Sequence, residues 1–284
     1  MIEIFEKVNI IVLTFCSKWC IVILHLCYNK ITKGAIMPRF FVPVEDITDG
    51  EIRITSGDAA HISRVLRLRE GDTVTVCDGR GFDYNAEIAE INAGEIICSV
   101  TAKRRSESEP DVFVTLYQGL PKASKMDYII QKTTELGVSK IVPVAMARCV
   151  SRIEDKKTEA KKLERWNKIA KEAAQQSQRG IVPEICPVMT FDEAAAAMAE
   201  SDLCFAPYEC EDEGGLKNTL LSVENPKTVS FMIGPEGGFD LSEIEKLKAA
   251  QIPTVTLGPR ILRTETAGEA VLAMMMYEIG DVNG

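Results

Sequence analysis

After Pro110 the chain alternates between two rhythms, and this alternation constrains its fold more than any other feature. Short apolar runs at residues 112–116, 140–143, 203–206, 229–233 and 254–257 are separated by segments of helical periodicity at 126–136, 158–178, 191–199, 241–250 and 267–279. Runs of four or five apolar residues have the length of buried strands, and the segments between them have the length of helices. Strand then helix, repeated, predicts a parallel sheet covered on both faces, because parallel neighbours need a crossover long enough to hold a helix.

Before Pro110 the pattern differs. Residues 39–42, 51–54, 73–77, 83–88 and 95–100 are rich in β-branched and aromatic residues and are punctuated by Gly50, Gly57-Asp58, Gly71-Asp72, Asp78-Gly79 and Ala93-Gly94. One helical stretch, 58–68, interrupts them. This predicts a small β-barrel, followed by a polar linker at 103–110 (KRRSESEP). The expected division of the 284 residues is an atypical extension at 1–36, a barrel at 37–105 and an α/β domain at 110–282.

The extension carries two apolar runs, at 10–16 and 19–27, broken by Ser17 and Lys18. A spanning helix needs about twenty apolar residues, and a secretory leader needs a positive start where this chain has Glu3, Glu6 and Lys7. Neither fits well, so the fold is expected to begin at Met37 without a membrane partner, a membrane-tethered form being the alternative. Nine cysteines without a C-x-x-C pair, several of them inside apolar runs, fit a reducing cytoplasmic setting and exclude a disulfide framework. Without a His/Cys cluster at ligand spacing, no metal is expected. The net charge of −9 is uneven. Residues 148–180 hold ten Lys and Arg against five acids, whereas 184–247 hold fourteen acids against three bases. A basic stretch is therefore free to meet a polyanion despite the acidic total.

Two strand ends stand out. In Phe231-Met-Ile-Gly-Pro-Glu-Gly-Gly-Phe-Asp240 an apolar run enters a glycine-rich turn, then a helix with Asp240 as N-cap and Glu243 as its reciprocal partner. Such glycines serve a tight turn or the close approach of a ligand. No Lys-Ser/Thr follows and the spacing is not G-x-G-x-x-G, which disfavours a nucleoside triphosphate or a nicotinamide dinucleotide. In Leu257-Gly-Pro-Arg-Ile-Leu-Arg-Thr-Glu-Thr-Ala267, Arg260, Arg263 and Glu265 gather before a helix that Thr266 and Glu269 are expected to cap. Ligands of open α/β sheets bind beyond such strand ends. Gln175-Gln-Ser-Gln-Arg179 and the barrel's His61, Arg64, Arg67 and Arg69 are further polar clusters, each also compatible with a solvated surface.

Taken in order, Arg39-Phe40-Phe41, His61-Ile-Ser-Arg-Val-Leu-Arg67, Lys132-Thr-Thr-Glu-Leu-Gly137, Gln176-Ser-Gln-Arg179, Ile233-Gly-Pro-Glu-Gly-Gly-Phe239 and the 257–267 segment resemble the bacterial 16S ribosomal RNA uridine-N3 methyltransferase family of the SPOUT (trefoil-knotted) superfamily. The resemblance covers all but the first 36 residues. It implies an N-terminal PUA-like β-barrel and a C-terminal parallel-sheet α/β domain with a trefoil knot, a topology no local rule would predict. It also implies a cytoplasmic homodimer whose cofactor is S-adenosylmethionine and whose partner is the 16S RNA of the small ribosomal subunit. The implied cofactor contacts are Ile233, Gly234, Pro235, Glu236, Gly237, Gly238, Leu257, Gly258, Ile261, Leu262, Arg263 and Thr264. Arg263 would stabilise charge on the uracil, with Glu236 or Glu265 as general base. Arg39, His61, Arg64, Arg67, Arg69 and Arg179 would contact RNA. A related methyltransferase acting on another RNA, or an RNA-binding assembly factor without turnover, would share most of these features.

Overall fold

The computed structural model describes residues 2–5, 10–13, 39–151, 155–212 and 214–282. Ile2–Phe5 and Ile10–Leu13 pair with each other as antiparallel strands. The apolar run at 19–27 and the start assigned to Met37 lie outside the described residues.

The first unit is a five-stranded sheet of β1 (Arg39–Phe41), β2 (Glu51–Thr55), β3 (Thr73–Cys77), β4 (Phe82–Asn92) and β5 (Glu95–Arg105), in the order β1-β3-β4-β5-β2. Only the β1–β3 pair is parallel. Register shifts in the β4–β5 hairpin, at Asn85/Ala86 and Ile88/Glu90, are the irregularities that bend a long hairpin around a core. That core is Ile52, Ile54, Val74, Val76, Ile88 and Ile96, closed by Ala59 and Ile62 from the helical segment. This segment is α1 (Ser56–Ala60) running into a π-helical turn, His61–Leu66, and it ends where Arg67 turns left-handed at φ 55°. The expected linker is shorter than 103–110: β5 runs through Arg105, paired to Phe82–Tyr84, and Lys103 stacks its ammonium over both the Phe82 and Tyr84 rings. Aromatic partners across the hairpin keep this charged stretch in the sheet.

The second unit comprises β6 (Phe113–Gly119), α2 (Lys125–Glu135), β7 (Lys140–Ala145), α3 (Lys156–Gln176), β8 (Glu184–Ile185), β9 (Met189–Thr190), α4 (Phe191–Met198), β10 (Leu203–Pro207), α5 (Leu216–Leu220), β11 (Thr228–Ile233), α6 (Leu241–Ala249), β12 (Thr254–Val255) and α7 (Thr264–Ile279). Its sheet runs β8-β7-β6-β11-β10-β12, with β9 also on β7, and every pairing is parallel. Consecutive residues of β6 and β11 are buried, as in strands covered on both faces. Helices α3 and α7 each pack on α2, and α4 packs on α6. The expected cap of the last helix is corrected. Helix α7 begins at Thr264, not near residue 267, and Arg263 is its N-cap. Glu269 instead accepts from the Tyr128 hydroxyl at 3.1 Å.

The two units meet at the C-terminal end of α3. Ala174 packs on Phe41 and Cys77. Burial pushes the Cys77 thiol up to about 12, and Cys98, Cys149 and Cys186 are buried too, behaving as small apolar groups. Gly180 lies so close to the first unit that a Cβ there would come within 2.3 Å of Ser106. Among the described residues no helix is long and apolar enough to cross a membrane.

Candidate active site

Strands β10, β11 and β12 run parallel, so their carboxyl ends release three loops on one side of the sheet. These loops surround a cavity of about 660 Å³, within the usual range for a small-molecule site. Its walls come from residues 207–212 after β10, 233–239 after β11 and 256–264 after β12. The β11 and β12 loops are the two that the sequence singles out. Every residue expected to hold a cofactor lines the cavity except Gly237. Gly237 packs against Arg148 instead: its carbonyl accepts from Nη1 at 3.1 Å, and a Cβ would meet Arg148 Cβ at 2.9 Å.

The β11 loop is compact for identifiable reasons. Gly238 has φ +66°, and a Cβ on it would come within 2.5 Å of Glu209 Oε1. Pro235 lies so close to the end of β6 that a Cβ on Gly119 would come within 2.7 Å of it. Asp240 and Glu243 form the expected capping box on α6, and Glu243 also accepts from the Ala147 N–H at 2.8 Å, tying the loop after β7 to this one.

A single hydroxyl joins the β11 and β12 loops. Thr264 Oγ1 donates to the Gly234 carbonyl at 2.7 Å and accepts from Gln118 Nε2 at 2.9 Å. Thr264 is 6 % exposed and Gln118 is fully buried. At the cavity wall Lys125 bridges two acids, with Nζ 3.2 Å from Glu236 and 3.1 Å from Glu265. Glu236 also accepts from the Lys122 N–H at 3.0 Å. Burial, the largest single influence on each carboxylate, works against ionisation. The N–H donors and the Lys125 ammonium together outweigh it, and both acids sit below the usual carboxylate range. Lys125 is raised in turn, first by its hydrogen bond to Glu265.

Arg263 and Arg260 are exposed side chains on the cavity wall. Neither makes a hydrogen bond or ion pair to a described residue, in contrast to Arg148, which pairs with Asp240 at 3.4 Å. Arg263 stands at the start of α7, whose N-terminal dipole adds further positive potential. The loop after β10 contributes Glu209, Glu211 and Asp212 to the lining. Sequence reasoning passed over Lys125, Gln118 and these acids. The only local signal was the Glu-Cys-Glu-Asp run directly after a strand end.

The barrel cluster separates into two kinds of residue. His61, Arg64, Arg67 and Arg69 are exposed along the π-helical turn and its exit. Arg39 and Arg179 are not on that surface, which corrects their assignment to RNA. Arg39 is 11 % exposed and pairs with Asp83, with further bonds to Ser106 Oγ at 2.8 Å and the Gln178 carbonyl. Arg179 is 3 % exposed, pairs with Glu109 at 2.7 Å and donates to the Thr134 and Val138 carbonyls. It caps the exit of α2 and leaves no face for a phosphate. Among the described residues no group of three His, Cys, Asp or Glu is placed to hold a metal ion.

Two family patterns match the chain. The RNA methyltransferase domain covers residues 108–276 and the RNA methyltransferase PUA domain covers 54–101. A ribosomal RNA small subunit methyltransferase E of Bacillus subtilis is 37% identical over 252 residues, 85% of this chain and 97% of that one. Its Synechocystis counterpart is 32% identical, covering 84% and 76% respectively. A solved ribosomal RNA small subunit methyltransferase E from Neisseria gonorrhoeae, bound to S-adenosyl methionine, superposes with a TM-score of 0.76 at 32% identity, over 87% of this chain and all of that one.

Proposed function

The chain belongs to the RNA methyltransferase family that includes ribosomal RNA small subunit methyltransferase E, and from that membership we propose that it transfers a methyl group from S-adenosylmethionine to N3 of a uridine in 16S ribosomal RNA. The observation that carries this reading is the cavity itself: the glycine-rich β11 loop and the β12 loop, locked together through Thr264, form its walls.

The residues present suit a nucleoside cofactor. Ile233, Leu257, Ile261 and Leu262 supply apolar contact for a flat base, and the glycine turns leave backbone groups accessible. When bound, S-adenosylmethionine supplies a methyl group on a positively charged sulfur. The protein's own part is positioning and charge. Arg263, which makes no hydrogen bond or ion pair to a described residue and stands at a helix start, would favour the ionised form of the uracil imide, which is the nucleophile. Glu236 and Glu265 are the carboxylates within the site that would take the imide proton. Their ion pairs with Lys125 weaken them as bases, so more of the work falls to Arg263. N3 lies on the pairing edge of the base, so the uridine must enter unpaired or flipped out.

Two finer features belong to the same reading. A homodimer is supported by the exposed Thr266, Ala273, Met274 and Tyr277, which share one face of α7. A trefoil knot is supported by the meeting of the loops after β10, β11 and β12. The working compartment is then the cytoplasm, where the small subunit is assembled. The test is mass spectrometry of 16S RNA from a strain lacking the gene, with and without the purified protein and S-adenosylmethionine. Restoration of one 3-methyluridine is expected. An unchanged RNA would refute the reading.

A further inference from the structure

Helix α3 runs from the neighbourhood of the exposed barrel cations to a loop that borders the cavity. Helix α3 has 21 residues and is about 30 Å long at 1.5 Å per residue. Its last turns lie against the barrel: Lys171 Nζ is 4.0 Å from Asp58, three residues before His61, and Ala174 packs on Phe41. Its first half borders the 120–124 loop, where Lys162 and Arg165 share a small hollow with Leu120 and Ser124, and the next residue, Lys125, lines the cavity. A polynucleotide held by the barrel would follow α3 to place a base in the cavity of the same protomer.

The face of α3 along that path carries four lysines and one exposed acid, Glu164, and so keeps a positive surplus. Lys157, Lys161, Lys168 and Lys171 are spaced by four, seven and three residues, all of which return to one side of a helix. The buried residues Trp166, Ala170, Ala173 and Ala174 occupy the other side. All four lysines are exposed, Lys168 at 77% of its side chain. Lys157 and Lys161 have no ion partner among the described residues. Lys168 reaches Glu172 only at 3.8 Å and Lys171 reaches Asp58 only at 4.0 Å, surface pairs that contribute little. Such a strip is conspicuous on a chain of net charge −9. Regularly spaced ammonium groups on an exposed face match the charge of a sugar–phosphate backbone, which binds through release of its counterions.

We infer that the Lys157–Lys161–Lys168–Lys171 face of α3 is a phosphate track along which ribosomal RNA runs from the barrel to the cavity. The inference rests on the methyltransferase reading, since it takes RNA as the substrate. Phosphate contacts position an RNA without reading its sequence, so the track orients the strand while the cavity selects the base.

The experiment uses the full chain and a small-subunit ribosomal RNA transcript. The combined variant Lys157→Gln, Lys161→Gln, Lys168→Gln, Lys171→Gln removes the charges and keeps helix propensity. RNA affinity is measured across a salt series, cofactor affinity by calorimetry, and folding by thermal melt. The slope of log affinity against log salt is expected to fall by about 3, from four contacts at roughly 0.7–0.9 each, while cofactor affinity is unchanged. The matching Lys→Arg variant should keep the wild-type slope, which separates charge from any loss of fold. Neutralising Lys217 and Lys248, away from α3, should leave the slope alone. A wild-type slope in the four-glutamine variant overturns the track while leaving the enzyme reading intact. Failure of the wild-type protein to bind or methylate the transcript removes both.

Discussion

Replacing Thr264 by Val removes one oxygen and keeps the shape of the side chain, so its effect measures how far the two cavity loops depend on a single hydroxyl. In the native fold this hydroxyl donates to the Gly234 carbonyl at 2.7 Å and accepts from the Gln118 amide at 2.9 Å. Gln118 Nε2 retains its bond to the Gly119 carbonyl at 3.0 Å, so in the variant one amide hydrogen and one carbonyl lose their partner. Each buried polar group left unpaired costs about 1–3 kcal/mol, and Gln118 and Gly234 are both buried. The expected loss is therefore about 2–6 kcal/mol, a sizeable share of an ordinary domain's stability. Urea unfolding followed by fluorescence gives the number, and a titration with S-adenosylmethionine gives its functional counterpart, a weaker affinity as the Gly234 loop loosens. Thr264→Ser keeps the oxygen and loses one buried methyl group, about 0.8 kcal/mol, so it should lie much nearer to wild type. A Val variant within about 0.5 kcal/mol of wild type, the range of an inconsequential surface change, would refute the reasoning.

Arg263→Ala should lower the single-turnover methylation rate on the order of 100-fold or more, as loss of a transition-state donor does, with cofactor binding close to normal; a normal rate would remove Arg263 from the chemistry. Lys125→Met tests the ion-pair cluster through pH. Glu236 and Glu265 are lowered from 4.5 and Lys125 is raised from 10.5. The stabilisation is thus fully present between those values, lost as pH falls through the lowered carboxylates and lost as pH rises through the raised lysine. The stability gap between wild type and variant should be flat near neutrality and narrow on both sides; a gap that ignores pH would mean the pairs contribute nothing. Arg39→Met strands Asp83, whose side chain is 4% exposed, and should cost about 3–5 kcal/mol of stability without altering the salt dependence of RNA affinity. A reduced salt slope in that variant would return Arg39 to the RNA surface.

The parts of the fold that could be read from sequence are those set by neighbours along the chain. The alternation of apolar runs and helical segments anticipated β6, β7, β10 and β11 and the long helices between them, because burial on both strand faces leaves a continuous apolar run. The Asp240–Glu243 box was legible because both halves of a capping box lie within four residues. The Thr266–Glu269 match failed on the same rule. Thr264 is drawn into the interior by Gly234 and Gln118, so the helix starts three residues earlier and Glu269 is left to Tyr128. The two-residue strands β8 and β9 are too short to show a period, whereas the apolar run at 254–257 anticipated β12.

The site divides along the same line. Its glycine loops announced themselves because each is a local departure from strand and helix patterns. Lys125, by contrast, is one lysine in an ordinary helix until the fold brings it to Glu236 and Glu265, more than a hundred residues away in the chain. Arg39 and Arg179 illustrate the reverse error. Their partners, Asp83 and Glu109, lie 44 and 70 residues distant, so in sequence both arginines look free for a phosphate. An arginine's long side chain with five donors serves equally well to join two units or to bind RNA, and only the location of the nearest buried carboxylate decides between them. By that criterion the exposed His61–Arg69 segment and the open face of α3 retain cations that the fold has not already used.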